Sequence, residues 1–238
     1  MSLDKVIIAL DFSKKQEALR VVDELEGLID FYKVGLELFL SEGVDFIKIL
    51  KKKDKKIFLD LKFHDIPNTI QRAVKVCLDY GVDMLTLHSS GGFDMLKRAV
   101  EIAEETKIKD KASLKLLGVT VLTSLDSNAL REIYGTLIEA SSLVKNLALL
   151  SKKAGLDGIV ASASEIRKIK ELCGEDFLVV TPGIRLYALP DDDQRRTITP
   201  QKAFLSGADY IVIGRAVTSS YSSREALLKL LTKEHVYD

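Results

Sequence analysis

The sequence predicts an α/β protein of the (β/α)8 TIM-barrel class, with residues 1–238 forming a single catalytic domain. Three observations lead there. Short apolar, β-branched runs alternate with longer segments of helical period, and the alternation repeats eight times. No shift in composition separates the units, and 238 residues suit one closed barrel. An open doubly wound sheet is the alternative that such a pattern leaves.

The strands are expected at Lys5–Leu10, Tyr32–Leu36, Lys56–Phe63, Met84–His88, Lys115–Val121, Gly158–Ala161, Phe177–Thr181 and Tyr210–Ile213, each a short apolar run. Amphipathic helices are expected between them at Lys14–Leu25, Gly43–Lys53, Ile70–Tyr80, Phe93–Glu105, Ser142–Ala154, Ala163–Leu172 and Pro200–Ser206, with a last one at Ser223–Leu231. Two segments break the rhythm. Asp126–Ile138 holds short, weakly patterned pieces, and Gly183–Thr199 is a run of Gly, Pro, Asp and Arg with little period. Loops of that length in compact domains are often lids or binding loops. Phe39, Leu40, Leu147 and Leu150 read as core, and the Lys51–Lys56 run reads as a solvated helix end.

Lys plus Arg equals Asp plus Glu at 35 each, so no bulk field recruits nucleic acid or an anionic membrane, and any bound anion must be held locally. The N-terminus does not resemble a secretory signal, and no apolar run approaches a membrane span. Cys77 and Cys173 stand apart without metal spacing, and three scattered histidines make no metal site. A cytoplasmic protein with no cofactor and no metal is the expectation.

A barrel of this class works at the C-terminal ends of its strands. There the sequence places Asp11 after the first strand, Lys33 in the second, Asp60 and Lys62 in the third, and Asp65 just beyond. Alternation puts Phe58, Asp60 and Lys62 on one face and Leu59, Leu61 and Phe63 on the other, so the charges should line the mouth. Lys33, Asp60, Lys62 and Asp65 alternate in sign and can pair while ionised. A purely structural salt-bridge cluster is the bland reading; such clusters stabilise poorly, and this one lies where barrels do chemistry. The seventh strand leads into Gly183-Ile184-Arg185 and the eighth into Gly214-Arg215. Glycine admits an oxyanion to backbone N–H groups and arginine offers a fork matched to phosphate, so these strand ends suit a phosphate. Thr123 and Ser124, at the end of the fifth strand, read either as a simple turn or as hydrogen-bonding groups for a flat heterocycle.

The run Asp60-Leu61-Lys62-Phe63-His64-Asp65-Ile66-Pro67-Asn68-Thr69 resembles the signature of the orotidine 5′-monophosphate decarboxylase family. Its D-x-K-x-x-D core is shared with sugar-phosphate relatives; the continuation H-D-I-P-N-T is not expected of them. The resemblance extends through Asp11, Lys33-Val34-Gly35, Leu87-His88, Thr120–Ser124, Thr181–Arg185, Asp193–Arg196 and Ile213-Gly214-Arg215. Ala216 stands where proline is expected and Ile70 where valine is common, and neither change removes a functional group.

The resemblance implies conversion of orotidine 5′-monophosphate to uridine 5′-monophosphate and carbon dioxide, a step of pyrimidine biosynthesis. It implies Lys62 as proton donor beside Asp60, with Lys33 and Asp65 holding the array. It implies Asp11, Lys33 and Thr69 at the ribose, Thr123 and Ser124 near the pyrimidine, and Pro182 as an apolar wall. Arg185, Gln194, Gly214 and Arg215 would grip the phosphate, with the Gly183–Thr199 loop closing over it. A homodimer is also implied, in which Asp65, Ile66 and Thr69 reach the partner's barrel mouth. The competing readings are a metal-assisted sugar-phosphate lyase or decarboxylase and a non-catalytic nucleotide-binding barrel. His64 and His88 are read as supporting residues, and Gly91-Gly92 as a tight turn.

Overall fold

Aliphatic and β-branched side chains favour strands covered on both faces, and the expected runs form such strands. In the computed structural model, which describes residues 2–110, 113–122, 124–185 and 198–232, these are β1 (Val6–Ala9), β2 (Phe31–Gly35), β3 (Lys56–Phe63), β4 (Met84–His88), β5 (Lys115–Val119), β6 (Gly158–Val160), β7 (Leu178–Thr181) and β8 (Tyr210–Ile213). Neighbours pair in parallel in chain order. The last strand returns to the first through Ile7↔Val212, so the sheet closes into a barrel. That closing pair excludes the doubly wound alternative.

The helices are α1 (Lys15–Glu24), α2 (Leu36–Lys52), α3 (Pro67–Asp79), α4 (Phe93–Asp110), α5 (Ser127–Tyr134), α6 (Ala140–Ala154), α7 (Ile166–Cys173), α8 (Pro200–Leu205), α9 (Arg215–Thr218) and α10 (Ser223–Thr232). Their apolar stripes and the outward strand residues share one large buried cluster. A second, smaller cluster fills the barrel itself, with Ala9, Phe31, Phe58, Met84 and Val212 among its members. The N-terminal rim is stitched by a recurring device. Gly81-Val82-Asp83, Gly155-Leu156-Asp157 and Gly207-Ala208-Asp209 each combine a left-handed glycine with an aspartate. The aspartates accept strand N–H groups from Ile57 (2.8 Å), Leu116 (2.8 Å) and Val179 (2.7 Å).

Several expectations are corrected. Helix α2 begins at Leu36 rather than Gly43, and Gly43 marks a break inside it (φ 62°, ψ −156°). Leu40, on the turn before that break, is 80% exposed and is not core. Strand β5 ends at Val119, because the chain then turns, with Leu125 N–H donating to the Leu122 carbonyl. The irregular stretch after it contains a regular helix, α5. The Asp126 carboxylate caps its Asn128 and Ala129 N–H groups, and the left-handed Gly135 ends it. Lys55 is not a solvated lysine: it is 3% exposed and pairs with Glu26 and Asp30 at 3.0 and 2.9 Å. Burial alone would lower its pKa; the two carboxylates outweigh that and raise it.

Candidate active site

The barrel filling sets the site's height. Two residues beyond Ala9, Phe31, Phe58, Met84 and Val212, the same strand faces carry Asp11, Lys33, Asp60, Thr86 and Gly214. An apolar plug therefore gives way, within one pleat, to a polar layer at the C-terminal mouth.

In that layer Lys33 Nζ lies 2.9 Å from Asp11 Oδ1 and 3.6 Å from Asp60 Oδ2, and Lys62 Nζ lies 3.0 Å from Asp60 Oδ1. Asp60 sits between two ammonium groups. Burial would raise its pKa, but Lys33 and then Lys62 outweigh this and hold it below the usual carboxylate value. The converse applies to Lys33, where burial works against the charge and Asp11 and Asp60 restore it, leaving the pKa above its ordinary value. Gly35 makes the close approach possible. A Cβ there would stand 3.1 Å from Asp11 Oδ1 and 3.2 Å from Lys33 Nζ.

Alternation alone does not place Lys62. Its backbone is left-handed (φ 51°), and the β3·β4 register shifts between Leu59 and Phe63. The Lys62 N–H donates to Thr86 Oγ1 at 2.9 Å, and that hydroxyl donates to Asp60 Oδ1 at 2.9 Å. Thr86 is not among the site residues that the sequence predicts. The signal was present: within Met84-Leu85-Thr86-Leu87 it is the polar residue at the parity of inward-facing Met84.

Asp65 does not join the array within one chain. Its side chain is exposed and accepts its own neighbour's N–H, that of Ile66, at 2.6 Å. Within one chain the array is Asp11, Lys33, Asp60 and Lys62, because Pro67 starts α3 and the chain turns away after Lys62. Ile66 is 67% exposed beside it, and Thr69 lies half-buried in the first turn of α3. His64 and His88 pack against each other with tilted rings, centroids 5.5 Å apart. Burial, then His64 and Lys62, keep the His88 pKa below its ordinary value.

Across the mouth, Gly183 is left-handed (φ 79°) after Pro182, and Ile184 bridges to Ile198. Arg185 is 8% exposed, with its N–H donating to the Ile198 carbonyl at 3.0 Å. Burial and then the like charge of Arg215 pull the Arg185 guanidinium below its usual value, so the two cations lie within electrostatic reach. Gly214 caps α9 and stands beside Asp11, its hypothetical Cβ 4.0 Å from Asp11 Oδ2. Ser124 is exposed on the turn after β5 rather than at a strand end. Thr123 and Gln194, and the loop residues 186–197, lie outside the described residues.

Fold and site together define a (β/α)8 barrel with a charged mouth: an ion-pair array at the ends of β1, β2 and β3, and two arginines after β7 and β8. The chain belongs to the Orotidine 5′-phosphate decarboxylase / HUMPS family, whose sequence profile matches residues 4–230. It is 47% identical over 229 residues to an orotidine 5′-phosphate decarboxylase of Carboxydothermus hydrogenoformans, covering 96% of this chain and 95% of that one. It is 46% identical to the protein of that name from Wolbachia pipientis, covering 97% and 100%. The solved orotidine 5′-phosphate decarboxylase of Lactobacillus acidophilus superposes with a TM-score of 0.84 at 36% identity, covering 96% and 97%.

Proposed function

We propose that this protein decarboxylates orotidine 5′-monophosphate to uridine 5′-monophosphate. The observation that carries the proposal is the Asp11–Lys33–Asp60–Lys62 array at the barrel mouth of a chain whose curated relatives bear that activity's name. The C6–carboxylate bond breaks, carbon dioxide leaves, and the electron pair stays on C6. The Lys62 ammonium stabilises that pair and then gives it a proton; solvent reprotonates the amine. Asp60 stands beside the departing carboxylate and fixes Lys62, while Lys33 neutralises the second oxygen of Asp60.

The remaining roles are those that the family resemblance implies. Asp11 and Lys33 address the ribose hydroxyls, together with Thr69. Thr123 and Ser124 face the pyrimidine, and Pro182 walls it. Arg185, Arg215, Gly214 and Gln194 hold the phosphate, and binding energy spent there helps close the 183–199 loop. The protein acts as a homodimer, with Asp65, Ile66 and Thr69 completing the partner's site; an exposed isoleucine beside an exposed, locally satisfied aspartate supports this. It works in the cytoplasm, since its substrate and product are soluble nucleotides; among the described residues no helix is long and apolar enough to cross a membrane.

The test is the ultraviolet absorbance of orotidine 5′-monophosphate mixed with purified protein and excess chelator. Absorbance should fall, with one uridine 5′-monophosphate and one carbon dioxide formed per substrate consumed. A static absorbance without metal and a reaction on restoring Mg²⁺ would favour the metal-assisted sugar-phosphate type of chemistry. Binding without turnover under either condition would favour the non-catalytic barrel.

A second expectation concerns Arg185. Arg185→Ala removes a buried guanidinium whose charged hydrogen bonds are worth about 1.5–3 kcal/mol each, so kcat/KM should drop by at least roughly 10- to 100-fold, the loss expected for a single such bond. Added guanidinium, entering the vacated space at constant ionic strength, should restore part of the loss. A flat response with unchanged substrate affinity would remove Arg185 from the phosphate site.

A further inference from the structure

We propose that Thr86 is a positioning residue, whose hydroxyl locks the Lys62 backbone and the Asp60 carboxylate into one rigid unit and thereby sets the rate of the chemical step. The proposal rests on the decarboxylase reading above and adds to it a residue that never touches substrate.

The hydroxyl is fully buried, at 0% exposure, on the inward face of β4. It makes two hydrogen bonds, and the chemistry of the partners fixes the direction of each. The Lys62 N–H can only donate, so Thr86 Oγ1 accepts it (2.9 Å). An ionised Asp60 can only accept, so the same oxygen gives its proton to Oδ1 (2.9 Å). Asp60 Oδ1 receives the Lys62 ammonium as well, at 3.0 Å. The result is a closed ring running from Lys62 N through Thr86 Oγ1 and Asp60 Oδ1 to Lys62 Nζ. Both ends of one residue are held by it.

The ring explains how Lys62 keeps its conformation. A non-glycine residue at φ 51° costs about 1 kcal/mol or more, and it persists only where its surroundings hold it. At this point the β3·β4 register is interrupted between Leu59 and Phe63, so the ordinary ladder does not hold Lys62 N–H. Thr86 takes the ladder's place. A β-branched side chain has few χ1 options, which makes the hydroxyl a stiff anchor. Without it, Lys62 can relax towards an extended backbone, and its ammonium leaves the position fixed against Asp60.

The test compares Thr86→Val, Thr86→Ser and wild type. Valine keeps the shape and loses both hydrogen bonds; serine keeps the hydroxyl. Displacement of a reacting group by about 1 Å costs on the order of 100-fold, so Thr86→Val should lose roughly that factor in kcat. Its KM and its affinity for uridine 5′-monophosphate should change by less than about 3-fold, because phosphate and ribose contacts are untouched. Thr86→Ser should recover most of the rate. If the valine protein does not fold, Thr86→Cys replaces it: its thiol is a weak donor of similar size and should show the same kcat loss at unchanged nucleotide affinity. A folded Thr86→Val with wild-type kcat, or a loss shared equally by kcat and nucleotide binding and not recovered by serine, would overturn the role. Wild type is run alongside: no turnover by wild type would sink the decarboxylase reading itself, and this role with it.

Discussion

Lys62→Ala is expected to lose about four orders of magnitude in kcat while the protein still folds and still binds uridine 5′-monophosphate. The size follows from two tasks resting on one ammonium. Supplying the proton is worth roughly 100- to 10,000-fold, and fixed charge aimed at a developing anion is worth roughly 100- to 1,000-fold, the two not being fully additive. Folding should survive because Asp60 keeps its other partners, the Thr86 hydroxyl at 2.9 Å and Lys33 at 3.6 Å. Single-turnover kinetics with a parallel nucleotide titration measure both sides. Near-normal kcat in a folded variant would remove Lys62 from the chemistry.

Asp65→Ala should be almost as damaging, which nothing in a single chain would suggest. The carboxylate is exposed, and its hydrogen bond is to the adjacent Ile66 N–H. As a local turn contact it is worth at most about 1 kcal/mol, so the melting temperature should barely move. If the carboxylate instead completes an alternating charge array in a second subunit, deleting it leaves the partner's Lys62 without an anionic neighbour on that side. A loss of roughly 1,000-fold in kcat at unchanged thermal stability is then expected. Loss of stability in proportion to activity would make Asp65 a turn residue only.

The contrast between these two aspartates shows what a sequence of this kind reveals. Asp60 was legible, because an acid set among Phe58, Leu59 and Leu61 in a buried strand has one affordable place to point. Lys62 was legible as an identity but not as a conformation. Alternation put it on the right face, whereas the structure reaches the mouth through a left-handed backbone and a register shift, which local pattern does not encode. Thr86 went unread because a threonine in a strand is usually packing, and only the three-dimensional ring of hydrogen bonds distinguishes it. The strands were legible from their apolar runs. Helix α5 was missed although its cap Asp126 and its terminator Gly135 were both in view, because Ser127–Tyr134 buries a single residue, Leu130. Lys55 was misread for a related reason: a lysine run looks solvated unless the acids that meet it, Glu26 and Asp30, are known to fold back onto the same rim. The Gly-x-Asp device at the N-terminal rim went unread, because its aspartates meet their strand N–H partners only once the barrel closes.

The decarboxylation site proposed above has its charge array divided between two chains, and subunit mixing tests that division most directly. Lys62→Ala and Asp65→Ala proteins, each nearly inactive alone, are combined in equal amounts, allowed to exchange subunits, and assayed on orotidine 5′-monophosphate. In a mixed dimer one site collects both lesions and the other neither. With random reassortment about half the dimers are mixed, so about a quarter of all sites should be wild-type. Recovery near a quarter of wild-type activity is the predicted result. No recovery after subunit exchange has been verified would put Lys62 and Asp65 in the same chain's site and contradict the account.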